Sequence, residues 1–342
     1  MKQTVVRLRP GDLVEVKGPE EILQTLDANG TLDQVPFMPE MVQFCGKRFR
    51  VSKRVLKTCY YTEKTAAGFR KFKTDDVVLL DGLRCSGADH DGCQKACTIF
   101  WREAWLRRAE DVTVQTKQDP IASKQLRARL RTSTGPKTYF CQASELLKAT
   151  VPLSQRERFE GCVDEVLAGN CSIFEMTRRI GRWLFWRIRR KFFGEYAHGR
   201  NKSTPVESLN LQSGDWIEVK QIESINQTLN ESGFNRGLFF FPEMHLLCGS
   251  QQRVERRIDK IIVDGTGEMR QLCNTVFLEN SHCGCTYAFS GCPRGEFSYW
   301  REIWLRRVTV PAVPRAEGAP HPGGMQSEFS SLKEDPSRGG QS

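Results

Sequence analysis

The amino-acid sequence contains one module twice, and this repeat limits the folds that the chain can adopt. The segment 11–17 (GDLVEVK) returns 203 positions later at 214–220 (GDWIEVK), and the match continues without a gap for about forty residues. The Pro-Glu-Met of 39–41 and the Cys-Gly of 45–46 recur with the same spacing, and the run WREAWLRR of 101–108 recurs as WREIWLRR at 300–307. A repeat of this extent predicts a duplicated structural module.

Within each copy, apolar and polar residues alternate, and a period of two predicts β-strands. The alternation occurs at 13–17, 49–51 and 77–80 and again at Trp101, Glu103 and Trp105, with glycines between the segments. Residues 20–26 predict a single helical turn instead. Several short strands in about a hundred residues predict a small barrel or sandwich. We therefore predict a mainly β fold with a helical insert, in which two small barrels occupy 5–110 and 207–310.

The chain between the two copies has a different composition. Residues 111–137 are basic and predict a linker, whereas 138–200 predict a helical insert. Ser154 and Ser172 are each followed three residues later by glutamate, which is the capping box of a helix start. The Pro-, Gly- and Ser-rich residues 311–342 predict a disordered tail.

Net charge and cysteine usage indicate the compartment and the class of partner. The formal net charge of +10 favours an acidic partner such as nucleic acid, an anionic membrane surface or an acidic protein, although such a charge can also serve solubility alone. The 13 cysteines follow no signal peptide, and no run of about eighteen apolar residues occurs. We therefore expect a cytoplasmic protein with reduced thiols, peripheral to a membrane at most.

Cysteines cluster in a loop of the first copy, which predicts a metal site. Cys85, Cys93 and Cys97 follow Cys59 along the chain and enclose His90. Thiolates in a loop can converge on one ion, and four of them would suit tetrahedral zinc or, in a larger shielded site, an iron–sulfur cluster. Buried or reactive thiols and a disulfide between Cys85 and Cys93 are the alternatives.

The second copy keeps this cluster only in part. Cys283 and Cys292 match the first two loop cysteines, but Glu296 replaces the third and Cys59 has no counterpart. Cys285 and Cys273 could substitute as ligands. Cys45 and Cys248, each followed by glycine, are interpreted as core residues.

A glutamate is repeated within the Pro-Glu-Met motif, as Glu40 and Glu243. Neither has a histidine or a second carboxylate at a fixed spacing, so the pattern does not support general acid–base catalysis. We predict instead that each glutamate caps a turn or pairs with the repeated Arg50 or Arg253.

Residues 172–196 predict a basic amphipathic helix. Its apolar side contains Ile173, Met176, Ile180, Trp183, Leu184 and Ile188. The opposite side combines arginines with two aromatic residues and is a candidate surface for a partner or a membrane: Arg178, Arg179, Arg182, Trp186, Arg189, Arg190 and Phe193. Such a helix can lie in a bilayer interface, or it can dock its apolar side between the two barrels.

The order of the elements resembles the SH3-like barrels, including those of the KOW type. The resemblance rests on the Gly-Asp turn before a Val-rich strand, a long variable loop and the basic strand at 49–55. Over most of its length the chain is also similar to a family of uncharacterised bacterial proteins with the same Gly-Asp, Pro-Glu-Met, Cys-Gly and Trp-Arg-Glu landmarks. The first resemblance implies a fold, the second is consistent with a bacterial-type cytosol, and neither carries a catalytic residue to this chain.

Duplication without a catalytic constellation favours a non-enzymatic binding or scaffold protein, metal-stabilised and acting on a protein or at an anionic surface. Two alternatives stay open. A nucleic-acid-binding protein would use the basic linker, with the Trp-Arg-Glu run stacking bases. A metal- or thiol-dependent redox enzyme or accessory factor would use the cysteines of the first copy.

Overall fold

The computed structural model describes residues 7–60, 68–111, 119–194, 196–283 and 294–308. Within these ranges the protein is mainly β, with antiparallel sheets and several helices, as the sequence predicts. The predicted tail at 311–342 lies outside the described residues.

The first copy is built around a five-stranded antiparallel sheet. The strands of the whole copy, in chain order, are β1 (Leu13–Val16), β2 (Thr31–Leu32), β3 (Val35–Pro36), β4 (Arg48–Arg54), β5 (Thr58–Tyr60), β6 (Gly68–Phe72), β7 (Val77–Arg84), β8 (Thr98–Arg102) and β9 (Leu106–Arg108). Helix α1 (Pro19–Thr25) follows β1, and 3-10 helices span Pro39–Phe44, Glu103–Trp105 and Ala109–Asp111. The sheet has the order β8-β7-β4-β1-β9, so β1 lies between β4 and β9, with Val14 opposite both Phe49 and Arg108.

The segment between the copies contains strands as well as helices. Its elements are α2 (Pro120–Arg129), β10 (Ser133–Gly135), β11 (Thr138–Tyr139), α3 (Leu146–Ala149), β12 (Thr150–Pro152), α4 (Gln155–Leu167) and α5 (Ile173–Phe193). Strand β12 pairs with β6, which pairs with β5, so this segment completes a small sheet with strands of the first copy. Ser154 and Ser172 cap α4 and α5 as predicted, because each side chain accepts a hydrogen bond from the amide three residues later.

The segment 111–137, predicted as a basic linker, contains helix α2. Asp119 accepts a hydrogen bond from the Ile121 amide, and Pro120 occupies the first helical position, where its missing N–H costs nothing. Leu126 is fully buried in the core of the first copy. A helix cap and one apolar anchor therefore outweigh the basic composition of this stretch.

The second copy repeats the main sheet of the first. Its elements are β13 (Trp216–Val219), α6 (Ile222–Asn226), β14 (Phe234–Asn235), β15 (Leu238–Phe239), β16 (Gln251–Arg257), β17 (Lys260–Ile262), β18 (Met269–Gln271), β19 (Thr275–Leu278), β20 (Trp300–Arg301) and β21 (Leu305–Arg307), with 3-10 helices at Pro242–Leu247 and Glu302–Trp304. The order β20-β19-β16-β13-β21 matches the first sheet strand for strand, and Ile217 lies opposite Gln252 and Arg307.

Each core is organised by one phenylalanine that packs edge-on against two tryptophans. The Phe37 ring centroid lies 6.2 Å from that of Trp101 and 5.1 Å from that of Trp105. The Trp105 indole N–H donates to the Thr25 hydroxyl over 3.1 Å, which satisfies the one polar atom of a buried ring. The second copy makes the same contacts with Phe240, Trp300, Trp304 and Thr228.

The two tryptophans of each copy do not share a strand, contrary to the predicted alternation. Glu103–Trp105 forms a 3-10 turn between β8 and β9, and Glu302–Trp304 does the same in the second copy. The turn brings both rings into one core. The sequence pattern therefore predicts the burial of the tryptophans correctly, but it predicts a strand where the structure has a 3-10 turn.

Each turn also carries a buried ion pair. Glu103 contacts Arg54, and the equivalent Glu302 contacts Arg257 over 2.7 Å. The Glu302 carboxylate, which is fully buried, also accepts hydrogen bonds from three successive amides at 209–211. Burial of these carboxylates is therefore compensated by a cation and backbone donors.

A buried group of four charges joins the two copies. Lys95 of the first copy pairs with Asp264 of the second, and Arg294 contacts both Asp264 and Glu296. Burial alone would discharge Lys95 and Asp264, but the neighbouring opposite charges outweigh it, raising the pKa of Lys95 and lowering the pKa of Asp264. The group therefore places two basic and two acidic side chains in a buried contact between the copies.

We predict that Asp264→Asn lowers the free energy of unfolding by about 3–5 kcal/mol, because Lys95 then stays buried without its anion. The matched control is Asp259→Asn, which breaks a more exposed ion pair with Arg257 and should cost less than about 1 kcal/mol. Urea unfolding followed by tryptophan fluorescence measures both values. Equal costs for the two variants would contradict a structural role for the buried group.

Candidate metal centre

Three side chains from two segments of the first copy lie close together. Glu40 lies in the 3-10 helix Pro39–Phe44, Cys85 directly follows β7, and His90 lies in the loop that leads to β8. This loop is tightly folded, because a Cβ atom on Gly87, whose φ is +69°, would lie 2.0 Å from the carbonyl oxygen of Cys93. Only glycine fits there, and its turn helps hold His90 close to Cys85.

The donor atoms of the three side chains lie within 4.8 Å of one another. His90 Nδ1 is 2.6 Å from Glu40 Oε1, and Cys85 Sγ is 3.9 Å from the same oxygen. His90 Nε2 lies 2.9 Å from the carbonyl oxygen of Phe140 in the segment between the copies. Glu40 and His90 are buried, whereas Cys85 is half-buried.

The charges of the cluster depend on one another. Burial disfavours a charged His90, but the hydrogen bond and the negative charge of Glu40 outweigh burial and raise the pKa of His90. Burial would likewise raise the pKa of Glu40, but the contact with His90 dominates and lowers it. Burial, reinforced by the charge of Glu40, raises the pKa of the Cys85 thiol. Without an ion, Glu40 and His90 therefore form an ion pair beside a protonated thiol.

Two observations show that this donor set fits a metal ion. Glu40 Oε2 is buried and has no hydrogen-bond partner among the described residues, although a buried carboxylate oxygen normally has one. Because Nε2–H of His90 donates to the Phe140 carbonyl oxygen, an ion that displaced the Nδ1 proton would meet the Nδ1 lone pair on the side of Glu40 and Cys85. Carboxylate oxygen, imidazole nitrogen and thiolate sulfur are all zinc ligands, and binding would displace the protons of His90 and Cys85.

Further thiols adjoin the cluster. A cavity of about 20 Å³, enough for roughly one water molecule, is lined by Cys85 and His90 together with Cys93, Cys97 and Cys141. Three of the four cysteines predicted as ligands therefore face one cavity. The fourth, Cys59, is buried in β5 and is not among the cavity-lining residues. The four-cysteine set itself stays a prediction.

The second copy keeps only part of this arrangement among the described residues. Cys283 Sγ lies 3.8 Å from Glu243 Oε1, as Cys85 does from Glu40, and Glu243 Oε2 is also buried without a hydrogen-bond partner there. Cys285 and Cys292 lie outside the described residues, as do the positions equivalent to His90.

No sequence pattern predicts the contact between Glu40 and His90. Our prediction that Glu40 or Glu243 pairs with a repeated arginine is wrong, since Arg50 donates to the Gly11 carbonyl and Arg253 pairs with Glu279. The repeated motif offered one signal, because both copies retain the glutamate and the first loop cysteine together. Neither spacing nor periodicity indicates that these two residues touch.

Helix α5 places its predicted surface residues in different environments. Trp186 is buried against Tyr196 and His245, so the ring assigned to a partner surface packs inward. Arg179 pairs with Glu175, and Arg189 lies over the Tyr196 ring. The remaining members of the set, Arg178, Arg182, Arg190 and Phe193, are exposed. Across the described residues, no helix combines the length and apolar character needed to cross a bilayer.

The predicted apolar side of α5 is also divided. Met176 packs with Cys162 and Cys171 of the neighbouring segment, with Ile180 partly buried beside them. Ile173, Leu184 and Ile188 are exposed, and docking of this side between the copies is therefore wrong for these three.

Comparison of the chain with protein-family models, with curated proteins and with solved structures gave no match.

We predict that the thiols differ widely in reactivity. Burial raises the pKa of Cys141 to about 11, whereas Cys273 is exposed. Because the thiolate is the nucleophile, iodoacetamide at mildly alkaline pH should alkylate Cys273 at least about ten times faster than Cys141. Mass-spectrometric mapping of timed samples measures both rates, and similar rates would contradict the buried position of Cys141.

Proposed function

We propose that the chain is a metal-stabilised, non-enzymatic binding protein built from two SH3-like barrel modules. The observation that carries this proposal is the Glu40–Cys85–His90 cluster, in which three metal-ligand types converge beside a buried carboxylate oxygen without a partner. Zinc fits this donor set better than a hard cation such as magnesium, because sulfur is among the donors.

The surroundings of the cluster favour a structural ion over a catalytic one. A catalytic zinc keeps one position open for water or substrate, whereas a structural zinc is closed by four protein ligands. Cys93, Cys97 and Cys141 line the same cavity, so any one of them could supply a fourth ligand. A thiol-based redox function has less support, because the raised pKa values of Cys85 and Cys141 keep both sulfurs protonated and weakly nucleophilic at neutral pH.

A bound ion would tie together segments that are distant in sequence. Glu40 would hold the 3-10 helix of the first copy, Cys85 and His90 would hold the loop, and His90 would keep its hydrogen bond to Phe140. The adjacent Cys93 sulfur accepts a hydrogen bond from the Ile262 amide, which belongs to the second copy. An ion here would thus stabilise the first copy beside the contact between the copies.

The SH3-like assignment is supported by the strand order and by the equivalent contacts of the two sheets. Both copies keep the Phe–Trp–Trp core, the Trp–Thr hydrogen bond and the Glu–Arg pair. Small barrels of this kind bind partners with their loops and edges, while the core varies little.

We predict that protein purified without chelator contains about one zinc ion per chain. Cys85→Ser and His90→Gln should reduce this to less than about one tenth, because each removes a ligand. Glu243→Gln is the matched control, as it changes the equivalent carboxylate of the second copy and should leave the content unchanged. Elemental analysis per chain measures the ratio, with circular dichroism reporting whether each variant is folded.

Cobalt substitution keeps this test informative if a variant loses stability. Cobalt bound by Cys85 should give a thiolate charge-transfer band in the wild type, and Cys85→Ser should weaken that band while Glu243→Gln keeps it. Wild-type protein that takes up neither zinc nor cobalt would refute the proposed centre.

Removal of the metal is expected to destabilise the fold. An ion present at a hundred times its dissociation constant stabilises by about 3 kcal/mol, so a chelator should lower the melting temperature by about 5–10 °C. Differential scanning fluorimetry measures the shift, and His90→Gln should melt at one temperature with or without chelator. An unchanged melting temperature of a wild type shown to contain zinc would contradict a structural role.

A further inference from the structure

We infer that the exposed side of helix α5 docks on an anionic phospholipid bilayer. This inference names a partner for the proposed binding function and otherwise stands apart from it, because α5 contributes no residue to the metal centre.

Exposed apolar side chains form a stripe on one side of α5, at its first turn and in its C-terminal half, with Thr177 and Gly181 between the two groups. At about 100° of rotation per residue, its members fall within roughly one third of the helix circumference. The stripe consists of Ile173, Phe174, Leu184, Phe185, Ile188 and Phe192. Phe174 is 80% exposed and Phe192 is 72% exposed, although phenylalanine has no polar atom to hydrate. Exposed apolar groups of this size on one side of a helix indicate an interaction surface.

Cations border the stripe on both edges. Arg178 and Arg182 follow one edge, and Arg187 and Lys191 lie at the other. The helix has a single acidic residue, Glu175, and that residue pairs with Arg179. The combination of an apolar stripe with flanking cations and almost no negative charge is complementary to anionic headgroups above an acyl boundary.

The opposite side of α5 is held by the protein. Trp186 packs edge-on against His245 of the second copy, with 5.7 Å between ring centroids, and Met176 is buried against the segment that precedes α5. A hydrophobic groove of a protein partner would cover the apolar stripe but would not by itself pair the cations on both of its edges. Nucleic acid would use the arginines but would leave most of the aliphatic stripe in water. A bilayer can cover the apolar stripe with its acyl boundary and pair the flanking cations with its anionic headgroups.

Vesicle co-sedimentation of the full chain tests this inference. The wild type should bind phosphatidylcholine vesicles containing phosphatidylserine at least about ten times more tightly than vesicles of phosphatidylcholine alone, and salt should weaken the binding. Phe174→Ser/Phe192→Ser should weaken it about tenfold or more, since two rings leave the acyl boundary. Ile121→Ser is the control, because Ile121 is 69% exposed on α2, away from the stripe.

The possible outcomes are distinct. Equal binding by the double phenylalanine variant and the wild type, or no binding to anionic vesicles, would overturn the inference. Displacement of vesicles by RNA, with RNA affinity unchanged in the double variant, would identify a nucleic-acid surface instead. Zinc content measured on the same preparations separates this test from that of the proposed metal centre, because the phenylalanine variants should retain their metal.

Discussion

The buried carboxylate of Glu40 imposes the constraint on which the first copy is organised. A carboxylate removed from water is costly unless a cation or several donors compensate it. His90 provides that compensation, and its other nitrogen reaches the Phe140 carbonyl in the segment between the copies. One buried charge thereby links a 3-10 helix, a cysteine loop and the central segment. Its second oxygen remains without a hydrogen bond among the described residues, and this deficit is what a bound cation would remove.

The two copies of the sequence repeat have main sheets of the same strand order but differ at this point. Each copy buries two indole rings against a phenylalanine, pairs one glutamate with an arginine and places the same strand at the centre of its sheet. These shared contacts account for the matching cores. The segments between β7 and β8 and between β19 and β20 contribute none of these shared core contacts, so their sequences can differ. The glutamate–cysteine contact is common to both copies, with Cys85 beside Glu40 and Cys283 beside Glu243. The shared contact indicates that this pair belongs to the module and that His90 adds to it in the first copy.

The sequence predicted the features that depend on local pattern. The repeat, the alternation at 13–17 and the serine caps of α4 and α5 correspond to short-range rules, and each matches the structure. The contact between Glu40 and His90 joins residues fifty positions apart in a loop without periodicity, so no local rule could indicate it. The basic composition of 111–137 predicts a linker, whereas the Asp119-Pro120 cap is the signal that indicates helix α2. The inward position of Trp186 depends on His245, a residue of another module.

Anomalous diffraction at the zinc absorption edge, on crystals of protein purified without chelator, tests the central claim most directly. The proposed centre predicts one anomalous peak, from a zinc ion bound by Cys85 Sγ, His90 Nδ1 and Glu40. The expected zinc–sulfur distance is about 2.3 Å and the expected zinc–nitrogen distance is about 2.0–2.1 Å. The contrary result is an electron-density map without an anomalous peak, in which His90 Nδ1 keeps its hydrogen bond to Glu40. In that case the cluster would be a buried ion pair beside free thiols, and the stability of the first copy would rest on its core alone.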